Sequence, residues 1–219
     1  MKTAFLLIFL MVFGNAQTTP PDTFVKDNFT KQEFYIPMRD GTKLFTIAYI
    51  PKDISKSKKY PFLMQRTCYS IAPYGENEYR TKLGPNKYLM QEKYIFVFQD
   101  VRGRYMSEGT FTNMTPQVDH KTKKDVDEST DTYDTIDYLV KNIKNNNGKV
   151  GQYGTSYPGF YTAVGVLAQH PALVASSPQA PISDFWNDDF MHNGRFMLGY
   201  FRTFPVFGVQ KTKPETKAW

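Results

Sequence analysis

Cysteine is all but absent. Cys68 is the single one in 219 residues, so no intrachain disulfide can form and stability has to come from a packed core. A cysteine-built metal cage is excluded on the same count. Histidine is scarce as well. His120, His170 and His192 lie far apart and make no H-x-x-x-H pair, so neither a zinc site nor any other metal or cofactor is expected. No apolar run reaches the ~20 residues that cross a bilayer. Recognised nucleic-acid modules and basic faces interleaved with aromatics are also missing. The net charge of +6 is spread out, with its densest groups at Lys56, Lys58 and Lys59 and at Lys121, Lys123 and Lys124 in loop-like stretches. These read as solvated surface.

What is present is ordinary for a globular domain with a sizeable core: 41% apolar, 22% charged and 16% aromatic residues. The aromatic share suits a packed fold and an aromatic-lined pocket. Lys2, the apolar run from Ala4 to Phe13 and the small-x-small pattern Gly14-Asn15-Ala16 together read as a secretory signal over residues 1–16. A secreted or periplasmic location is therefore expected, with the mature chain starting near Gln17. Residues 17–30 are Pro/Thr-rich and read as a loose lead-in. Asn28-Phe29-Thr30 and Asn113-Met114-Thr115 are glycosylation sequons, meaningful only in a host that modifies them.

Periodicity then sets out the elements. Residues 31–38 and 43–50 are strands joined by a turn at Asp40-Gly41, the opening antiparallel hairpin. Residues 60–67 are a short apolar strand that runs into a loop from Cys68 to Gly75. Residues 94–100 are a continuous apolar run, suited to a strand buried on both faces. Residues 102–115 read as loop. Tyr133, Ile136, Val140 and Ile143 share one face of a helix over 131–144, stopped by Asn145-Asn146-Asn147-Gly148. Residues 149–154 are a strand. Phe160, Val164 and Leu167 repeat along the next helix, and residues 172–180 return to the sheet. A hairpin followed by alternating strands and helices defines an α/β fold with a mainly parallel sheet and helices on both faces.

The chemical signal is Gly154-Thr155-Ser156-Tyr157-Pro158-Gly159, between a strand and a helix. A serine in such a turn is lifted clear of the sheet, and the helix start offers N–H groups to an anion. The generic elbow is G-x-S-x-G. Here Pro158 stands at the second glycine and Gly159 follows one later. Taken alone, the pattern fits a nucleophile and an inert N-cap serine alike.

The departure itself resembles the acyl-esterase family that includes cocaine esterase, α-amino acid ester hydrolases, glutaryl cephalosporin acylases and X-Pro dipeptidyl peptidases. Further motifs, in order, resemble the same family. They are Met38-Arg39-Asp40-Gly41-Thr42-Lys43-Leu44, the stretch from Gln99 to Gly109 (Gln-Asp-Val-Arg-Gly-Arg-Tyr-Met-Ser-Glu-Gly), residues 127–137 with 145–150, and residues 186–196, which resemble the amino acid ester hydrolase branch. The resemblance implies an α/β-hydrolase fold and a serine acyl hydrolase working through an acyl-enzyme on Ser156. It implies Tyr157 as the backbone oxyanion donor. The family's Arg-x-Pro-Tyr reads Arg66-Thr67-Cys68-Tyr69 here, which places Tyr69 as the side-chain donor with Cys68 in place of proline. Cys68 reads as a small packed residue. Trp186, Asp188 and Asp189 are candidate substrate contacts. The two acids suit either an ammonium group or helix-start capping. If that segment is helical, His192 shares a face with Asp188, but the order Ser, acid, His of α/β-hydrolases puts the base later in the chain. Asp100 and Arg102 read as loop braces.

By this resemblance residues 31–185 are the N-terminal part of the hydrolase domain and residues 186–219 the start of a cap insertion. The triad acid, the triad histidine and a C-terminal jelly-roll are not found. The expectation is a truncated product, inactive alone, whose sheet exposes a long apolar edge. The alternatives are an X-Pro dipeptidyl peptidase and an inactive fragment. The expected substrate is a small ester, amide or peptide, with no nucleic-acid partner and no stable membrane span.

Overall fold

A computed structural model describes residues 22–119, 122–203 and 213–216. The signal expected over residues 1–16 lies outside the described residues, as does His120. No helix among the described residues is long and apolar enough to cross a membrane.

Six strands form one mixed sheet: β1 (Phe29–Pro37), β2 (Lys43–Pro51), β3 (Tyr60–Thr67), β4 (Ile95–Asp100), β5 (Asn146–Thr155) and β6 (Leu173–Gln179), in the order β1-β2-β4-β3-β5-β6. β1 pairs antiparallel with β2, and β2 antiparallel with β4. β4, β3, β5 and β6 run parallel. The hairpin followed by a parallel sheet is as the sequence predicts. Its turn closes through Asp40, whose carboxylate accepts from the Thr42 N–H at 3.1 Å, and Gly41 supplies the positive φ of 86°.

Each face of the sheet is covered. On one face, Ile136 and Leu139 of α3 (Glu128–Asn142) pack against Met64, Val97 and Val150. On the other, Met90 of α2 (Lys87–Glu92) joins Ile47, Phe96 and Phe98. Residues 24–30 of the lead-in are more ordered than its composition suggests. α1 (Phe24–Asn28) buries Val25 completely, and Phe29 starts β1 with its ring edge-on to Phe96 at 5.8 Å.

α3 starts three residues earlier than periodicity indicates. Asp127 caps it by accepting from the N–H groups of Ser129 and Thr130, each at 3.0 Å, and the Thr130 hydroxyl accepts from the Asp127 N–H at 2.9 Å. Its polar first turn is buried because two arginines need it. Arg66 pairs with Glu128 at 3.0 Å, and Arg102 with Asp131 at 2.7 Å.

α4 (Tyr157–Gly165), followed by a 3-10 turn (Val166–Ala168), corrects the expected apolar stripe. It buries Tyr157, Pro158, Gly159, Tyr161, Thr162 and Gly165, while Phe160 and Val164 are half-buried and Leu167 is 49% exposed. Close approach decides this. A Cβ on Gly165 would lie 2.7 Å from Gln152 Oε1.

The outer strand β6 is not the long apolar edge expected. Val174 is its single large apolar side chain with high exposure, and Ser176, Ser177, Pro178 and Gln179 follow. Beyond it, β7 (Met191–His192) and β8 (Arg195–Phe196) form a small hairpin. The segment carrying Asp188 and His192 is therefore not helical, and the two do not share a helix face.

Candidate active site

Ser156 stands where β5 becomes α4. Its backbone has φ 61° and ψ −124°, outside the regions that L-residues favour. The strained turn is held from both sides. The Ser156 N–H donates to the Gln179 carbonyl at 2.9 Å, and its carbonyl accepts from the Phe160 N–H at 3.1 Å. Two glycines make room. A Cβ on Gly154 would lie 2.1 Å from the Pro158 carbonyl oxygen, and one on Gly159 would lie 2.4 Å from the Gln179 carbonyl oxygen. Gly159 is thus the glycine that lets α4 meet β6. Pro158 sits in the first helical turn, where its missing N–H costs no helical hydrogen bond. Ser156 caps nothing with its side chain. Ser156 is exposed and lines a cavity.

That cavity holds about 220 Å³. Its walls are mostly apolar, with Met114, Ile182, Phe185, Phe190 and Phe196 beside Ser156 and Tyr157. Asn113, Asp189 and Tyr200 supply the polar groups. Sequence reasoning assigns none of Asn113, Met114, Ile182, Phe185, Phe190, Phe196 and Tyr200 to a cavity. Their one signal is the abundance of aromatics, which says nothing of placement.

Tyr157 opens α4, so its amide lies in the first helical turn beside the serine. Its buried ring fixes the cavity wall. The hydroxyl donates to Asn113 Oδ1 at 3.0 Å and accepts from the Met114 N–H at 2.8 Å. Tyr69 comes in from the loop after β3, half-buried, with its ring edge-on to Tyr157 at 6.1 Å. Burial pushes both phenols up from their ordinary value, and both stay protonated at neutral pH. Cys68, between β3 and Tyr69, is fully buried, and burial pushes its thiol up to about 12, far from a thiolate nucleophile.

Asp100 braces this loop. It is fully buried at the end of β4 and accepts from the Ile71 N–H at 3.1 Å and the Tyr74 hydroxyl at 2.9 Å. Burial pushes its carboxyl up to about 7. Arg102 ties the turn of the β1–β2 hairpin to α3 through Asp40 and Asp131, at 2.7 Å each.

The structure divides the candidate substrate contacts. Asp189 lines the cavity, half-buried, and accepts from the Tyr200 hydroxyl at 3.3 Å. Asp188 and Trp186 are exposed and do not line it. Asp188 instead accepts from the Asp189 N–H, and the Trp186 indole lies over Gly194 of the β7–β8 hairpin. His192 is exposed on β7, and His170 is buried against the Tyr133 ring with its Nδ1 accepting from the Ala172 N–H. Neither lines the cavity. Among the described residues no group of three or more His, Cys, Asp or Glu could hold a metal ion.

A mixed sheet of this order, with a strained serine between a parallel strand and the helix after it, defines the α/β-hydrolase class. The profile of the X-Pro dipeptidyl-peptidase (S15 family) matches residues 40–217, and the chain belongs to that family. The chain is 27% identical to the cocaine esterase of a Rhodococcus species over 151 residues, 69% of this chain and 23% of that protein. Among solved structures, an α-amino acid ester hydrolase superposes with a TM-score of 0.73 at 34% identity, over 94% of this chain and 34% of the other. An aminopeptidase from a marine-sediment Thaumarchaeota archaeon superposes with a TM-score of 0.68 at 38% identity, over 84% and 30%. The chain spans about a quarter of the length of the curated relatives it matches.

Proposed function

We propose that this chain carries the nucleophile side of a serine acyl hydrolase acting on an ester or amide of an α-amino acid. The observation behind this reading is Ser156 itself, an exposed residue on a strained strand-to-helix turn that lines an apolar cavity. The Ser156 oxygen attacks the substrate carbonyl carbon and its proton passes to a base. The tetrahedral oxyanion collapses, the carbon–oxygen or carbon–nitrogen bond breaks, and the alcohol or amine leaves with a proton. Water then releases the acyl group from Ser156. The Tyr157 N–H, with the Tyr69 hydroxyl beside the Tyr157 ring, would donate to the oxyanion, whose charge develops only during reaction.

Asp189 supports the choice of acyl group. A half-buried carboxylate in an apolar cavity is a natural seat for an α-ammonium. The matched ester hydrolase and aminopeptidase carry names that fit such a group. Asp188 and Trp186 would then act on the segment carrying Asp189 rather than on substrate. Family membership favours a second reading, a dipeptidyl peptidase that releases X-Pro units. The apolar leader supports export, with the protein working outside the cytoplasm. The acid and base of the triad are to be sought beyond the described cavity lining. Without them a serine is a weak nucleophile, and this chain alone should turn over slowly.

Labelling with a fluorophosphonate ester tests the nucleophile. The expected outcome is covalent modification mapped to Ser156, absent in Ser156→Ala and about 100-fold slower in Tyr69→Phe. Labelling that survives Ser156→Ala, or that maps to another residue of the folded chain, overturns the assignment. Release of p-nitrophenol from phenylglycine esters, against dipeptide release from X-Pro anilides, separates the two substrate readings.

A further inference from the structure

On the sheet face turned away from α3 and α4 lies a second concavity of about 320 Å³, with a chemistry opposite to that of the Ser156 cavity. The register places Gln65 between Phe98 on one side and Tyr153 on the other, since Gln65 pairs with Phe98 and Leu63 with Gly151. Side chains alternate along each strand. Gln152 turns to α4, where its amide donates to the Thr162 carbonyl, so Tyr153 and Thr155 turn to the other face. Above this row stand Arg80 and Lys82, from the segment between β3 and α2.

The groove is rich in donors and holds two cations. Arg80 is half-buried with its guanidinium 4.1 Å from the Phe98 ring centroid. Its Nε donates to the Ala72 carbonyl at 3.0 Å, and among the described residues its two terminal nitrogens have no partner and it forms no ion pair. Gln65, Lys82 and the Tyr153 hydroxyl likewise make no side-chain hydrogen bond among the described residues. Tyr153 is 9% exposed, and burial pushes its phenol up to about 12, so it stays a donor at neutral pH. Gln179 completes the rim, its Oε1 accepting from the Thr155 hydroxyl. Among the described residues no carboxylate lines the groove. Asp100, the acid whose field reaches Arg80, is already committed to Ile71, Tyr74 and Met106.

A half-buried guanidinium has lost hydration, and here no carboxylate replaces it. The Phe98 ring and the Nε bond to Ala72 hold the guanidinium, and its two terminal nitrogens remain as a fork for two oxygens. We propose that this groove binds the carboxylate of a small organic acid, with Arg80 taking the two oxygens, Lys82 adding charge at the rim, and the Gln65 amide and Tyr153 hydroxyl donating from the floor. The site is separate from the Ser156 cavity and holds whether or not Ser156 is a nucleophile.

Titration calorimetry of the whole chain with succinate, and with uncharged succinamide as control, tests this. Saturable binding of succinate and none of succinamide is expected. Lys82→Gln alters an exposed residue and keeps the fold, and it should weaken succinate binding several-fold. Arg80→Gln should weaken it by about tenfold or more, the worth of a charge-assisted pair, with circular dichroism reporting its folding. Tyr153→Phe removes one donor and should weaken it less. The proposal is overturned if folded wild-type protein shows no saturable response to succinate, or if Lys82→Gln and folded Arg80→Gln bind it as wild type does. A blocked glutamate-bearing peptide forms the second arm. If it binds where succinate does not, the groove receives a protein side chain, and the small-acid assignment fails.

Discussion

At the scale of single residues, the turn around Ser156 is a matter of contact distances. Ser156 adopts a positive φ that costs free energy, and Gly154 and Gly159 allow it by letting β5, α4 and β6 touch through backbone. Gly159→Ala would drive a methyl against the Gln179 carbonyl and should destabilise the fold by about 1–3 kcal/mol. Urea unfolding of the variant checks this, and an unchanged midpoint would mean that β6 simply shifts aside. Ser156 is legible in sequence because a glycine, a serine and a following helix sit together. The job of Gly159 is not, since the atom it would strike is twenty residues away. The division between Asp188 and Asp189 is hidden for the same reason. It depends on a hairpin whose Gly194 packs under Trp186, and nothing local announces that.

At the scale of elements, α3 shows how ion pairs can override hydrophobic periodicity. Its first turn is polar and buried because Arg66 and Arg102 reach it from the sheet and from the loop after β4. A period-3.6 pattern of apolar residues cannot register that turn, so the start is misplaced although the middle is right. Asp127 caps α3 and also accepts from the Val118 N–H at 3.0 Å. Asp127→Ala should therefore cost about 0.5–2 kcal/mol, at the upper end if the Val118 amide stays unpaired. Thermal unfolding would detect it, and a shift within error would show that water takes over both roles. α4 makes the complementary point. Its expected apolar stripe runs from half-buried Phe160 and Val164 to exposed Leu167, because Gly159, Thr162 and Gly165 give the closer fit to the sheet. α2 has six residues, too few for any periodic signal.

At the scale of the whole molecule, the alternation of strands and helices was enough to foresee a mainly parallel sheet. The insertion of β3 between β4 and β5 was not foreseeable, because strand order depends on pairings across the whole chain. One of those crossings buries Asp100. Its carboxyl lies near 7 when folded against an ordinary 3.8, so the folded state binds a proton that the unfolded chain has released. This contribution to stability is complete below the unfolded value. It declines as pH rises from about 4 and is gone above the folded value. Melting temperatures of wild type and Asp100→Asn, followed from about pH 4 to pH 8, should converge or cross as the wild-type protein loses this contribution. Parallel curves would show that Asp100 stays ionised throughout.

The hydrogen bond from Tyr157 to Asn113 has a practical corollary for anyone making this protein. Asn113 is the acceptor asparagine of a sequon and also part of the wall of the Ser156 cavity. A eukaryotic secretory host that glycosylates it would hang a sugar tree over the entrance, whereas a bacterial host would leave the entrance clear. Material from the two hosts should differ in its rate of fluorophosphonate labelling, slower for the sugar-bearing form and restored by enzymatic deglycosylation. The choice of expression system thus becomes part of the chemistry at Ser156.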